Sequence, residues 1–261
     1  MAYRNQTPVH FLVRIRSALF MLVYSFMGIV HGFLSVVIGP FLPFERRYNF
    51  INLWTRASLW LLRHLNGVKV ELRGRENIPE DGRFVVMSNH QSQFETFFLQ
   101  VLFAPQATIL KRELLWVPFF GWALALLKPI KIDRSKAGSA LKQIVEQGKE
   151  RLNNGVPVVI FPEGTRQSPG EMGEFSVGGA MLASKAGVPI LPVAHNGGDC
   201  WPARSMLRIP GTIIVSIGPT IDTEGRKTRE INDETADWIE EEFQKISGEM
   251  GFPSKSSQQP V

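Results

Sequence analysis

The sequence is poor in the residues that build metal clusters and covalent crosslinks. Cys200 is the only cysteine among 261 residues, which excludes an internal disulfide and any cysteine-based metal cluster. Residues 17–44 hold no Asp, Glu, Lys or Arg, so too little polar face remains there for an ordinary surface helix. There is no Walker loop, no Gly-x-Gly-x-x-Gly after a strand and no Gly-x-Ser-x-Gly elbow. Those absences count against P-loop, dinucleotide-binding and serine-esterase chemistry in turn. No internal repeat is present.

What remains is a globular composition, 44% hydrophobic and 20% charged, long enough to bury one sizeable core. The formal charge of +5 suits partners that carry phosphate, whether nucleic acid, anionic lipid or a phosphorylated substrate, and does not choose among them. The charge-free run is more telling. A helix of roughly 20 apolar residues reaches across a bilayer, so this stretch is long enough to anchor the chain. Arg4, Arg14 and Arg16 precede it and Arg46, Arg47 and Arg56 follow, a balance that gives no orientation. A helix dipping into one leaflet beside a second apolar stretch fits as well as a full span.

The expected organisation is therefore an anchor over residues 1–66, an α/β domain over 67–250 and a disordered tail over 251–261. Within the anchor, an apolar helix over 17–44, with Gly39, Pro40 and Pro43 expected to stop it, precedes an amphipathic one over 50–65. In the α/β part, β-rich runs at 68–72, 84–87, 157–161, 188–194 and 212–217 alternate with helical spacing at 93–103, 137–152, 181–186 and 230–246. That order predicts an α/β fold in which helices cover a central mixed sheet.

Two polar strings follow predicted strands. Ser88-Asn89-His90-Gln91-Ser92-Gln93-Phe94-Glu95 places an imidazole at a strand-to-helix junction, where it has the pKa of a general base. Glu95 meets His90 only if the histidine precedes the helix and the acid lies in its first turn. Ser92 and Glu95 also have the spacing of a capping box, and both readings of the acid can hold together. Phe161-Pro162-Glu163-Gly164-Thr165-Arg166 offers an arginine for phosphate, a carboxylate for a polyol, a hydroxyl, and a glycine that lets backbone approach a ligand. Lys111 and Arg134 add positive charge. The apolar stretch 116–127 between them is too short to span a membrane; it suits an acyl-chain groove, a bilayer surface or core. Cys200 has only His195 nearby in sequence and reads as packing.

Together these strings resemble the glycerolipid acyltransferases over residues 84–193. The family's first motif corresponds to Asn89-His90 with Glu95, where Asp is the commoner acid. The second corresponds to residues 111–134, the third to 161–166, and the fourth to Val188-Pro189-Ile190-Leu191-Pro192. The resemblance implies a membrane enzyme that moves an acyl group from acyl-CoA or acyl-carrier protein to the sn-2 hydroxyl of 1-acylglycerol-3-phosphate. In that scheme His90 is the base and Glu95 orients it. Lys111, Arg134 and Arg166 hold phosphate, and Glu163, Gly164 and Thr165 position the glycerol. Backbone amides near the helix start are expected to face the oxyanion. The resemblance further implies no metal or other cofactor, no nucleic-acid partner, and a place among membrane lipids at the cytoplasmic face of the cell membrane.

Overall fold

The computed structural model describes residues 11–133 and 137–250. Helix α1 (Phe11–Ile38) begins before the charge-free run and takes in Arg14 and Arg16. It gives way to a 3-10 turn, Gly39–Phe41, that carries Pro40. Pro43 then caps α2 (Phe44–Asn66), which Gly67 closes at φ 71°. The helix expected over 17–44 thus stops at Ile38, and the second starts at Phe44. Two prolines, each without an N–H and with φ fixed, break the chain between them. The two helices pack closely: a Cβ on Gly28 would sit 3.2 Å from the Trp54 indole, whose Nε1 donates to the Tyr24 carbonyl at 3.2 Å.

The sheet has seven strands: β1 (Val68–Arg73), β2 (Val85–Ser88), β3 (Ala107–Lys111), β4 (Ile130–Ile132), β5 (Val158–Ile160), β6 (Ile190–His195) and β7 (Gly211–Ile217). Their order is β1-β7-β6-β2-β5-β3-β4. Neighbours run parallel except β6 and β7, so the sheet is mixed, as the pattern predicted. Five of the strands lie where periodicity places them. β3 and β4, which lie together at one side of the sheet, were not foreseen.

Helices α3 (Phe94–Leu102), α4 (Phe120–Ala125), α5 (Ala137–Asn153), α6 (Gly178–Ala186), α7 (Gly197–Cys200) and α8 (Thr228–Glu249) complete the fold. Alternation along β2 sorts them into two layers. Val85 and Met87 join a core with residues of α5, α6 and α8. Phe84 and Val86 join the other, with Phe20 of α1, Leu62 of α2, and Phe94 and Phe97 of α3. Helix α6 lies so close to the sheet that a Cβ on Gly179 would meet Met87 Sδ at 2.8 Å. The parallel strands β6, β2, β5 and β3 all end at one edge, where open α/β sheets place their ligands.

Candidate active site

Chain exit from β2 places Asn89 and His90 at that edge, just ahead of α3. The Nδ1 of His90 lies 2.8 Å from Glu95 Oε1. The same oxygen accepts the backbone N–H of Gln91 at 3.0 Å and of Ser92 at 2.7 Å. Glu95 therefore holds the imidazole and also closes its half of the capping arrangement. Ser92 Oγ accepts the Phe94 amide at 2.9 Å rather than that of Glu95. A carboxylate can only accept here, so Nδ1 carries the proton and Nε2 keeps a free lone pair. Burial by itself would push the Glu95 carboxyl up. The His195 and His90 imidazoles and the Ser92 amide outweigh burial and hold it below the usual carboxylate range. The amides of Gln91, Ser92 and Phe94 are thus committed within the loop.

The loop after β5 meets the histidine from the opposite side. The Phe161 ring stacks on the imidazole, with centroids 4.3 Å apart and 17° between planes. The two oxygens of Glu163 accept backbone N–H groups, from His90 at 2.6 Å and from Gly173 at 2.7 Å. Its carboxylate thus ties three segments together, a task that the motif alone does not disclose. The Gln167 amide donates to the His90 carbonyl at 2.8 Å. Gly164 adopts φ 68°, a conformation that suits glycine and admits the tight turn.

Behind Glu95 lies a second imidazole that sequence reasoning weighed only as a neighbour of Cys200. His195 is fully buried at the end of β6. Its Nδ1 accepts the Gly197 amide at 3.0 Å, so Nε2 holds the proton and donates to the Asn89 carbonyl at 2.9 Å. Burial lowers its pKa, and the Glu95 charge opposes this. The Asn89 side chain returns two bonds to the His195 backbone, at 2.9 and 3.1 Å. This lattice fixes the residue that precedes His90. One signal was available beforehand, since His195, like His90, stands at the end of a predicted strand. Cys200 is buried, and burial pushes its thiol up to about 12, which removes it as a nucleophile.

A cavity of about 680 Å³ opens beside His90. Its cationic side holds Lys111, Arg166 and Arg204, the last of them not foreseen, with Thr165 and Gly164 alongside. The buried Nε of Arg166 has no hydrogen-bond partner among the described residues, as an anion-binding group requires. The other walls come from α1, α2, α3 and α4, where apolar side chains such as Ile51, Trp54 and Phe97 mix with His31, Ser35, Thr55, Thr96 and Gln100. Phe120, Leu124 and Leu127 line them, while Trp116 and Trp122 from the same stretch point outward. The stretch is thus divided between groove and surface. Arg134 lies outside the described residues, as does the tail expected over 251–261.

An imidazole–carboxylate pair beside a cavity with a cationic end and partly apolar walls has the chemistry to take a proton from a hydroxyl. Comparison with known proteins narrows that chemistry. The acyltransferase family profile matches residues 69–196. The 1-acyl-sn-glycerol-3-phosphate acyltransferase of Pseudomonas aeruginosa is 52% identical over 237 residues, 89% of this chain and 92% of that protein. The alpha form from Homo sapiens is 36% identical over 172 residues, 65% of this chain and 61% of that one. The solved 1-acyl-sn-glycerophosphate acyltransferase of Thermotoga maritima superposes with a TM-score of 0.75 at 26% identity, covering 90% of this chain and 98% of that one. The chain belongs to the acyltransferase family.

Proposed function

We propose that this enzyme transfers a fatty acyl group from an acyl thioester to the sn-2 hydroxyl of 1-acylglycerol-3-phosphate, yielding phosphatidic acid. The observation that carries the reading is the 2.8 Å contact between His90 and Glu95 on the wall of the cavity that holds Lys111 and Arg166. His90 Nε2 takes the hydroxyl proton as the oxygen attacks the thioester carbonyl. The O–C bond forms, the C–S bond breaks, and the proton passes to the departing thiolate. Glu95 fixes the tautomer and stabilises the imidazolium that forms in between. Lys111 and Arg166 hold the phosphate, Arg204 adds charge, and Thr165 and Gly164 meet the glycerol. Glu163 acts through backbone, setting where His90 stands.

The acceptor and product are lipids, and α1 and α2 wall the cavity. Helix α1 and the turn after it are long and apolar enough to cross a membrane, with mean hydropathy 2.0. This supports attachment to the bilayer, so that acceptor enters the cavity sideways from lipid. Thioester carriers are intracellular, which favours the cytoplasmic face.

The test uses purified enzyme in detergent with lysophosphatidate and labelled acyl-CoA or acyl-carrier protein. Labelled phosphatidate is expected. His90→Ala should lower kcat by about a thousandfold, within the range that general-base catalysis supplies, and leave the melting temperature unchanged. Release of labelled free fatty acid instead of phosphatidate would make the enzyme a hydrolase and sink the reading.

A further inference from the structure

A second cavity, of about 630 Å³, reaches His90 from the other face of the sheet. Leu141 and Ile144 of α5, Ile132 of β4 and Phe175 give it apolar walls. His90, Ile109, Phe161 and Gly164 belong to both cavities, so the Phe161 ring stacked on the imidazole stands as the partition between them.

The two sides differ in charge. The first holds Lys111, Arg166 and Arg204. Among the described residues that line the second, the charged groups apart from His90 are carboxylates, Glu163 and Glu174, with the Ser176 hydroxyl nearby. Glu163 is committed to backbone amides. Glu174 and the Ser176 hydroxyl are therefore the groups that can accept hydrogen bonds from a neutral chain carrying N–H donors, and Glu174 disfavours a phosphate. The outer faces differ in the same sense. Helices α1 and α2 wall the first cavity and turn Phe26, Leu53 and Trp60 outward. Helix α5 walls the second and turns Lys142, Glu146 and Glu150 outward, a surface made for water.

We propose that the second cavity receives the pantetheine arm of the acyl donor, with the thioester carbonyl held at the Phe161 partition. The proposal rests on the acyltransferase reading above and adds to it where the donor binds. A pantetheine arm is uncharged, flexible and amide-bearing, and it arrives from water on its carrier. It is common to coenzyme A and to acyl-carrier protein, so one cavity serves either donor.

Ala140 and Leu141 line this cavity and lie away from the catalytic pair, so Ala140→Phe or Leu141→Trp would fill it. Three donors separate the possibilities: palmitoyl-CoA, palmitoyl-carrier protein, and palmitoyl-N-acetylcysteamine, which ends after the first amide. The variants should raise KM about tenfold for both full carriers. The truncated donor and lysophosphatidate should keep their wild-type constants. A rise confined to lysophosphatidate would put the acceptor there, and a rise with palmitoyl-CoA alone would put the nucleotide there. Either result, or no change at all, overturns the proposal. Wild-type enzyme that makes no phosphatidate from any donor would defeat the acyltransferase reading instead. A binding measurement still decides the cavity in that case. Ser176→Cys should react with a maleimide and be protected by the non-transferable thioether S-hexadecyl-CoA, Cys200 being buried; no protection at saturation rejects the assignment.

Discussion

Helices α1 and α8 flank the same sheet and are built by opposite rules. Helix α8 buries Ile231, Ile239, Phe243 and Ile246 against the core and sends Arg229, Asp233 and Glu234 outward. Helix α1 buries Ser17, Phe20, Gly32 and Ser35 and exposes Leu22, Phe26 and Ile29, each more than 60% accessible. Small and hydroxyl-bearing residues let α1 approach its neighbours, as in helix pairs packed within lipid. Water would penalise that outward face, and a bilayer would not. On the membrane-attached reading proposed above, the difference gives each side of the sheet its own solvent.

The largest effect should come from charging the outward face of α1. Lysine at the centre of a lipid-embedded helix costs about 3 kcal/mol. Leu22→Lys with Phe26→Lys should therefore cut partitioning into phospholipid vesicles by at least about a hundredfold. Stability in detergent should stay within about 0.5 kcal/mol, as for surface changes. Wild-type flotation with vesicles by the double variant would erase the contrast. The mirror experiment lies on α8. Ile239→Ala removes a fully buried side chain and should cost about 3 kcal/mol in chemical denaturation, with vesicle binding intact. If it weakens vesicle binding as much as it weakens folding, the two sides are not separate.

The proposed catalytic pair sits where both sides meet, and its replacement should act on neither solvent. Glu95→Gln leaves an amide that still accepts the Ser92 N–H but no longer supports an imidazolium. A fall in kcat of about tenfold to a hundredfold is expected, with KM for lysophosphatidate unchanged. Glu95→Asp should recover part of that rate, since its charge remains and only its reach changes. Full activity in Glu95→Gln would leave the acid with the cap alone.

These regions were not equally legible from sequence. His90 and Glu95 lie five positions apart, so a motif could propose their meeting and helix geometry could set its condition. The five foreseen strands were legible for the same reason, since local pattern carries them. Contacts made across the chain were not. Nothing near His90 in sequence announces the stacking of Phe161, and Asn89 finds His195 across 106 positions. Arg204 reaches the cavity from a loop with no motif of its own. The break at residues 39–43 was half legible. Gly39, Pro40 and Pro43 read as the stop, as found, although the run without charge carried the expected bound on to 44.

Glu163 offers the smallest effect and the finest test, because it lines the second cavity while bonding to the backbone of His90. Burial pushes its carboxyl up to about 7; the amides of His90 and Gly173 oppose this and the neighbouring Glu95 charge adds to it. A group whose folded pKa is raised binds its proton more tightly in the native state. Its contribution to stability is therefore complete below the unfolded value of 4.5 and is lost as pH rises towards 7. Glu95, with a lowered pKa, acts in the opposite sense, stabilising above the unfolded value and losing that effect as pH falls, so its window lies lower. Glu163→Gln cannot ionise. The melting temperature of wild type minus that of Glu163→Gln should accordingly shrink as pH rises from 4.5 to 7, by differential scanning calorimetry in detergent. A difference that holds level or grows over that interval would mean that the carboxylate is already charged throughout. The side of the sheet that faces water would then reach further into the site than its burial implies.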